Sequence, residues 1–406
     1  MDQMLTMRRD WHQDPGRTLT AYVSALVVAE MAFLTALTPL LPHYGLSKTG
    51  AGIVMGAYPL GCVAGAVPGG VLAGRAGPRR TVLLGLAAAA AAAIAAGWSA
   101  TATMLAAARF AQGLAESGVW AGGMAWLAGV TQPTRRGEQL GVVMGFAAAG
   151  TLVGPAFGAF ASWIGPGPAF TIGAVVYLGF IAAALRLPRP RPVGELQVLP
   201  GPRALRDRGL RAGILLTVVG GMAIGLFDVL GPLRLSQLGA SALVIAGTFL
   251  LAGAAETRLS PLVGKLSDRR GEAAPARLLL LAGAAAALVF PMVGQAGWLV
   301  ALLVVGVPAF GSLCVPGSAL LSGGADRLRL HQGMAFGLGN LAWSGGQAAA
   351  AFGSGAIAQA TSDAVPTVLL AGVCLVALAV VTALRTSAPA VEAESTRDRL
   401  TAGMGQ

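Results

Sequence analysis

The sequence predicts an all-α polytopic membrane protein: twelve transmembrane helices in two pseudo-symmetric six-helix bundles. Three observations carry that expectation. Of 406 residues, 55% are hydrophobic and only 11% charged, with mean hydropathy +0.71; a soluble domain charges about a quarter of its residues. Apolar runs of roughly 20 residues, the length that crosses a bilayer, recur along the whole chain. One short polar motif occurs twice, once in each half of the chain.

The element order follows from hydropathy. Residues 1–17 are polar and basic, and the first apolar run, 18–42, is long enough to span rather than to serve as a cleaved leader. Five more runs follow at 50–73, 81–99, 103–130, 138–163 and 167–187. Residues 188–209 contain five prolines and several arginines, so they read as a cytoplasmic linker between bundles 18–187 and 210–385. The second bundle takes runs 210–233, 241–264, 275–296, 298–322, 333–358 and 364–385, and 386–406 is a polar cytoplasmic tail.

Charge sets the expected orientation. Of 28 Lys and Arg residues, only Lys48 and Arg234 fall in loops on the far side, while Arg109 and Arg258 fall inside spans. The remainder share the side of the termini, which places both termini in the cytoplasm of an inner (cytoplasmic) membrane protein. Trp98, Trp163 and Trp298 land at the outer ends of spans, as an aromatic belt would. The net charge of +11 is therefore topological, and no nucleic-acid partner is expected. Cys62, Cys314 and Cys374 sit in apolar runs, and His12, His43 and His331 are peripheral. No metal site, cofactor or catalytic cluster can be assembled from them, so no enzyme is expected. The expected partners are a small molecule, protons and the bilayer, with the chain acting as a monomer.

Residues 141–159, GVVMGFAAAGTLVGPAFGA, are the most distinctive stretch. Gly150, Gly154 and Gly158 repeat every four residues, making a smooth helical stripe that another backbone can approach closely. Pro155 removes one helical hydrogen bond there and softens the helix.

The repeated motif reads Gly70-Val-Leu-Ala-Gly74-Arg75-Ala-Gly77-Pro-Arg79-Arg80 after the second span and Gly264-Lys-Leu-Ser-Asp268-Arg269-Arg270-Gly271 after the eighth, 194 positions later. Duplicated six-helix halves with a site between them are a transporter architecture. These residues resemble the loop motif G-x-L-x-D-R-x-G-R-R of the major facilitator superfamily. The first copy departs from it at Gly74 and Pro78. Arg109-Phe-Ala-Gln112-Gly113 resembles that family's R-x-x-Q-G motif in span four. The glycine-proline stretch resembles the G-x8-G-x3-G-P-x2-G-G motif of its proton-coupled exporters, departing at Ala159. Pro39-Leu-Leu-Pro42 closes span one as in the 12-helix drug:proton antiporters. The resemblance implies the major facilitator fold and proton-coupled efflux of small, hydrophobic or cationic molecules by alternating access. A proton-coupled metabolite or sugar symporter, or a non-transporting receptor on the same fold, are the rival readings.

Four acids fall within spans: Glu30, Glu116, Asp228 and Glu256. A charged carboxylate facing lipid at a helix centre costs about 2.5–3.5 kcal/mol, so each should face a cavity, find a partner or be protonated. Arg109, Gln112 and Glu116 share one helical stripe. Glu30, Glu116, Arg109 and Asp228 are thus the proton-coupling candidates, with an Arg–carboxylate pair bridging spans one and four as the structural alternative. Asp228 either binds a cation or lines a hydrated outer vestibule. Glu256 and Arg258, two residues apart, point to different sides of the helix; Arg258 can snorkel to the interface, and both read as structural. Asn340, Trp343 and Gln347 form a polar-aromatic stripe on span eleven. Together with Glu30, Gln112, Trp120, Phe227, Asp228 and Phe310 they are the candidate substrate surface. The gating set is Gly70, Arg75, Gly77, Arg79, Gly150, Gly154, Pro155, Gly158, Gly264, Asp268, Arg269 and Gly271. Within it, Gly70 and Gly264 are expected to allow close helix contact, and Asp268 to accept from a helix N-terminus or loop arginines and so lock the cytoplasmic face.

Overall fold

The computed structural model describes residues 15–130, 136–187, 206–328 and 332–386. Helix α1 spans Pro15–Thr35, and its crossing continues as a 3-10 turn, Thr38–Tyr44. The first half follows with α2 (Lys48–Arg75), α3 (Pro78–Gly97), α4 (Ala102–Val130), α5 (Arg136–Ile164) and α6 (Pro166–Arg186). The second half comprises α7 (Arg208–Gln237), α8 (Ala242–Arg270), α9 (Ala273–Val289), α10 (Ala296–Gly311), α11 (Cys314–Arg327), α12 (Gln332–Ala360) and α13 (Ala364–Thr386). Helices α10 and α11 are two pieces of one crossing, Ala296–Arg327. Among the described residues, nine helical stretches are long and apolar enough to cross a membrane. Helices α4, α5 and α12, of 29 residues each, complete twelve passes. The proposed linker and both terminal segments lie mostly outside the described residues.

Local chemistry sets the breaks. Pro39 has no N–H to return to the carbonyl four residues back, so α1 stops at Thr35 and the chain tightens into the 3-10 turn. The duplication reappears in backbone geometry. Gly45 and Gly239 have φ of +58° and +83°, and Gly77 and Gly271 have φ of +92° and +74°. Within each pair the offset is the 194 positions of the repeated motif, and only glycine enters that region without strain. Ser47 and Ser241, separated by the same offset, each cap the helix that follows by accepting from Gly50 and Val244 N–H.

Within the first half α2 packs along α4, α1 along α5, and α3 along α4 and α6; in the second, α7 packs along α12 and α11, and α9 along α13. Leucine, valine and isoleucine side chains on the outer faces, such as Leu84, Val175, Leu278, Val305 and Val376, are exposed, as a surface solvated by lipid tails requires. The halves meet chiefly where α2 lies on α12 and α5 on α8. The α2–α12 contact lies at the end of the bundle opposite the termini, here termed distal. There a Cβ on Gly52 would stand 2.4 Å from the Ala351 carbonyl oxygen, and one on Gly355 2.4 Å from that of Lys48. Backbones approach this closely because glycine leaves no side chain at the contact.

The glycine stripe of α5 packs against α1. Added Cβ atoms would stand 2.7 Å from the Val28 oxygen at Gly150, 2.5 Å from the Ala32 oxygen at Gly154 and 2.2 Å from the Ala36 oxygen at Gly158. Gly264 of the repeated motif behaves differently. It meets nothing nearer than a Val315 methyl at 3.9 Å, so the close contact expected of it is absent.

Candidate functional site

Between the halves lies a cavity of about 290 Å³. Its wall draws on both bundles: Leu34, Thr35 and Trp120 from the first, and Asp228, Phe249, Glu256, Asn340, Trp343 and Gln347 from the second. Pro155 of the glycine-proline motif also lines it. None of its lining residues is basic. Glycines make this wall possible. A Cβ on Gly221 would stand 2.2 Å from the Trp343 oxygen, and one on Gly225 2.2 Å from the Gln347 oxygen. Helices α7 and α12 therefore touch through their backbones, which sets Gln347 and Asp228 on the same cavity wall.

Of the candidate substrate residues, Trp120, Asp228, Asn340, Trp343 and Gln347 line the cavity, whereas Glu30, Gln112, Phe227 and Phe310 do not. Phe227 and Phe310 pack behind the wall in a ring cluster with Phe290, at centroid distances of 5.4 and 5.7 Å from Phe227. The reason is helical phase: Phe227 precedes Asp228 by one residue and so faces another direction. Glu256 and Arg258 do point to different sides, but Glu256 is not confined to the structural role expected of it. Its side chain lines the cavity, while Arg258 is exposed.

Glu30, Arg109, Gln112 and Glu116 belong to a second, enclosed polar cluster inside the first half. Glu116, 3% exposed, accepts from Tyr58 Oη, from Tyr177 Oη at 2.7 Å and from Gln112 Nε2 at 3.0 Å. Arg109 donates to Gln112 Oε1 at 2.9 Å and, through Nη1 and Nη2, to the carbonyls of Phe33 and Leu34 at 3.2 and 3.1 Å. Its guanidinium lies over the Tyr58 ring, Cζ 4.6 Å from the centroid. The arginine thus bridges spans one and four through main-chain oxygens, and among the described residues it forms no ion pair. Those two carbonyls belong to the last turn of α1, just where the helix breaks, so Arg109 satisfies groups the break releases. Glu30 is 2% exposed, and its Oε1 has no hydrogen-bond partner among the described residues. Tyr58 and Tyr177 were not legible from spacing, because they come from α2 and α6; the signal for Tyr58 was its place beside Pro59 and Gly61, on the face that α4 approaches.

Arg109→Ala is expected to impair transport more than Arg109→Lys, and both to impair it. Alanine leaves two buried carbonyls unpaired at about 1–3 kcal/mol each, and an ammonium cannot reproduce the planar fork. Transport rates of the two variants at equal reconstituted protein provide the check; full activity in the alanine variant overturns the bridging role.

The gating candidates divide. Arg79 donates to the Ala184 and Leu185 carbonyls at 3.0 and 2.6 Å, tying the first turn of α3 to the end of α6. Arg75, Asp268 and Arg269 are exposed. Asp268 makes no hydrogen bond or ion pair among the described residues, so the expected lock is not formed in this conformation. A proximal ion pair appears elsewhere: Arg327 Nη2 reaches Asp207 Oδ1 at 2.8 Å. Asp207 also caps α7 through Leu210 N–H, and the Arg327 bond first, then that cap, hold its carboxyl below the usual carboxylate range.

At the distal end the halves are latched. Asp363, buried between two cations, pairs with Lys48 Nζ of α2 and with Arg234 Nη1 at 3.3 Å. Arg234 Nη2 also holds the Pro291 and Val293 carbonyls, and Lys48 N–H donates to Gln359 Oε1 at 3.1 Å.

The sequence profile of the Major Facilitator Superfamily matches residues 19–329. The chain belongs to that superfamily. It is a multi-pass membrane transporter rather than an enzyme. Among solved structures, the superfamily fold is matched by a bacterial homolog of the human lysosomal transporter Spinster, captured inward-facing and unoccupied. The TM-score is 0.73 at 12% identity, covering 91% of this chain and 96% of that one. The nucleoside transporter NupG matches with TM-score 0.69 at 12% identity, covering 90% and 98%, and a mutant form of it matches at 13%. At such identities the likeness extends to the fold. No curated protein matches the chain in sequence.

Proposed function

We propose that this superfamily member is a proton-coupled exporter of small hydrophobic or cationic molecules, working by alternating access as a monomer in the cytoplasmic membrane with both termini inside. The observation that carries the reading is the cavity: indoles of Trp120 and Trp343 and the Asp228 carboxylate line it, and no base does. Such a wall suits an organic cation, which gains from aromatic faces and from a desolvated carboxylate. Its latched distal end fits an inward-facing state.

Proton coupling is assigned to Glu30 and Glu116, away from the cavity. A route for coupling exists in the hydrogen-bond chain Glu116–Gln112–Arg109 to the Leu34 carbonyl, because Leu34 and Thr35 themselves line the cavity. Loss of the Glu116 charge weakens every donor aimed at it, and Arg109 passes the change to the break in span one.

In everted vesicles or proteoliposomes, an inside-acid gradient should drive a lipophilic cation inwards. Glu30→Gln and Glu116→Gln should each lower that rate by roughly ten- to hundredfold, the equivalent of one charge-assisted hydrogen bond. Substrate moving in the same direction as protons would make the protein a symporter. No gradient-dependent movement, or full coupling in both variants, sinks the assignment.

A further inference from the structure

Glu256 is a carboxylate that the exporter reading leaves without work. It lines the same cavity as Asp228, from a different helix, with most of its side chain enclosed. No hydrogen-bond or ion-pair partner for it exists among the described residues. Its carboxylate rests on the α-carbon of Gly311, the last residue of α10, where a Cβ would stand 2.1 Å from Oε2. The break in the tenth span therefore opens the slot that holds it. Arg258, two residues on, is exposed and directed elsewhere. The groups facing Glu256 from α10 and α11 are Gly311 and Cys314, and α5 lines the cavity with Ala147, Thr151 and Pro155; none carries a positive charge.

Depth separates the two acids. At 1.5 Å per residue from the distal ends of their helices, Asp228 lies about 14 Å in and Glu256 about 21 Å in. Between and around them the wall offers Phe249, Trp343, Ile224 and Val307. A desolvated negative charge without a partner is costly, and two in one base-free cavity more so. A ligand with one positive charge can answer only one of them.

We propose that Glu256 is a second cation-binding carboxylate, and that the cavity is built for elongated dications, with one cationic head at Asp228, the other at Glu256 and an apolar linker against the aromatic wall. This rests on the exporter reading for the first head and adds the second. The matching chemistry is a bis-quaternary or bis-amidine molecule whose heads are separated by a flexible or flat hydrocarbon.

The test titrates purified full-length protein with bis(trimethylammonium) alkanes of graded chain length, each against the singly charged alkyltrimethylammonium of the same length. Wild type should bind the dication roughly tenfold or more tighter at one optimal length, the scale of one charge-assisted contact. Glu256→Gln should bring that ratio close to one, and Glu256→Asp should keep part of the preference at a shifted optimal length. Arg258→Gln, on the exposed face, should leave the ratio at its wild-type value. Equal affinities for the two series in wild type, or a ratio unmoved by Glu256→Gln, overturn the proposal while leaving a monocation exporter standing. If neither series binds, the organic-cation part of the exporter reading falls, and this inference with it. The wild-type comparison decides the matter even where a variant fails to fold.

Discussion

An Asp363→Asn protein should show the distal ends of α2 and α12 further apart than in wild type. Asp363 is 6% exposed and stands between Lys48 and Arg234, so it neutralises two cations contributed by opposite halves. Asparagine removes both attractions and leaves the cations facing one another in a partly desolvated site. A hydrogen bond to a charged group contributes about 1.5–3 kcal/mol, equivalent to a roughly ten- to hundredfold change in an equilibrium between conformers. Only Lys48 reaches across from the first half, so Lys48→Ala should weaken the latch less than Asp363→Asn, because it leaves the Asp363–Arg234 pair intact. Distances between spin labels on the distal ends of the two helices would record the change. A distribution identical to wild type in Asp363→Asn would mean that the glycine face at Gly52 and Gly355 closes this end without help from charge.

Gly113→Ala should destabilise the protein by about 2 kcal/mol or more, although alanine is intrinsically the better helix former by roughly 1 kcal/mol. The added methyl would stand 2.0 Å from the Tyr58 carbonyl oxygen and 3.0 Å from the Cys62 nitrogen. Both are backbone atoms, so neither can swing aside as a side chain would. Helices α2 and α4 must separate, and Tyr58 then leaves the carboxylate of Glu116. Gly179→Ala supplies the contrast: nothing lies within 4 Å of its Cβ position in α6, and the same substitution should there raise stability by up to about 1 kcal/mol. Thermal unfolding of the two variants in one detergent measures the difference. If they shift together, the close approach of α2 and α4 is not what holds the first half.

What could be read from the chain alone had local causes. Span positions follow from apolar run length, because lipid leaves the backbone no alternative to helix. The duplication is visible as a motif and returns as paired left-handed glycines and serine caps at one offset, since turn chemistry depends on a few adjacent residues. The stripe of Gly150, Gly154 and Gly158 advertised a close neighbour by its spacing, though not that the neighbour is α1. Arg109, Gln112 and Glu116 could be placed on one face by counting, but Tyr58 and Tyr177 join them only through packing of α2 and α6.

The cavity belongs to the tertiary structure. Asp228 and Phe227 are neighbours in sequence, yet one lines the cavity and the other fills an aromatic core, because about 100° of helical rotation separates them. Glu256 read as a structural residue turned away from Arg258, and only packing sets it against Gly311 at a helix break 55 residues further on. Lys48 and Asp363 are 315 residues apart, and nothing in either neighbourhood names the other. Spans, caps and turns were determined by chemistry within a few residues. The cavity wall and the latch were decided by which helical faces meet, and that choice is made by the close packing of glycine-rich surfaces across the whole chain.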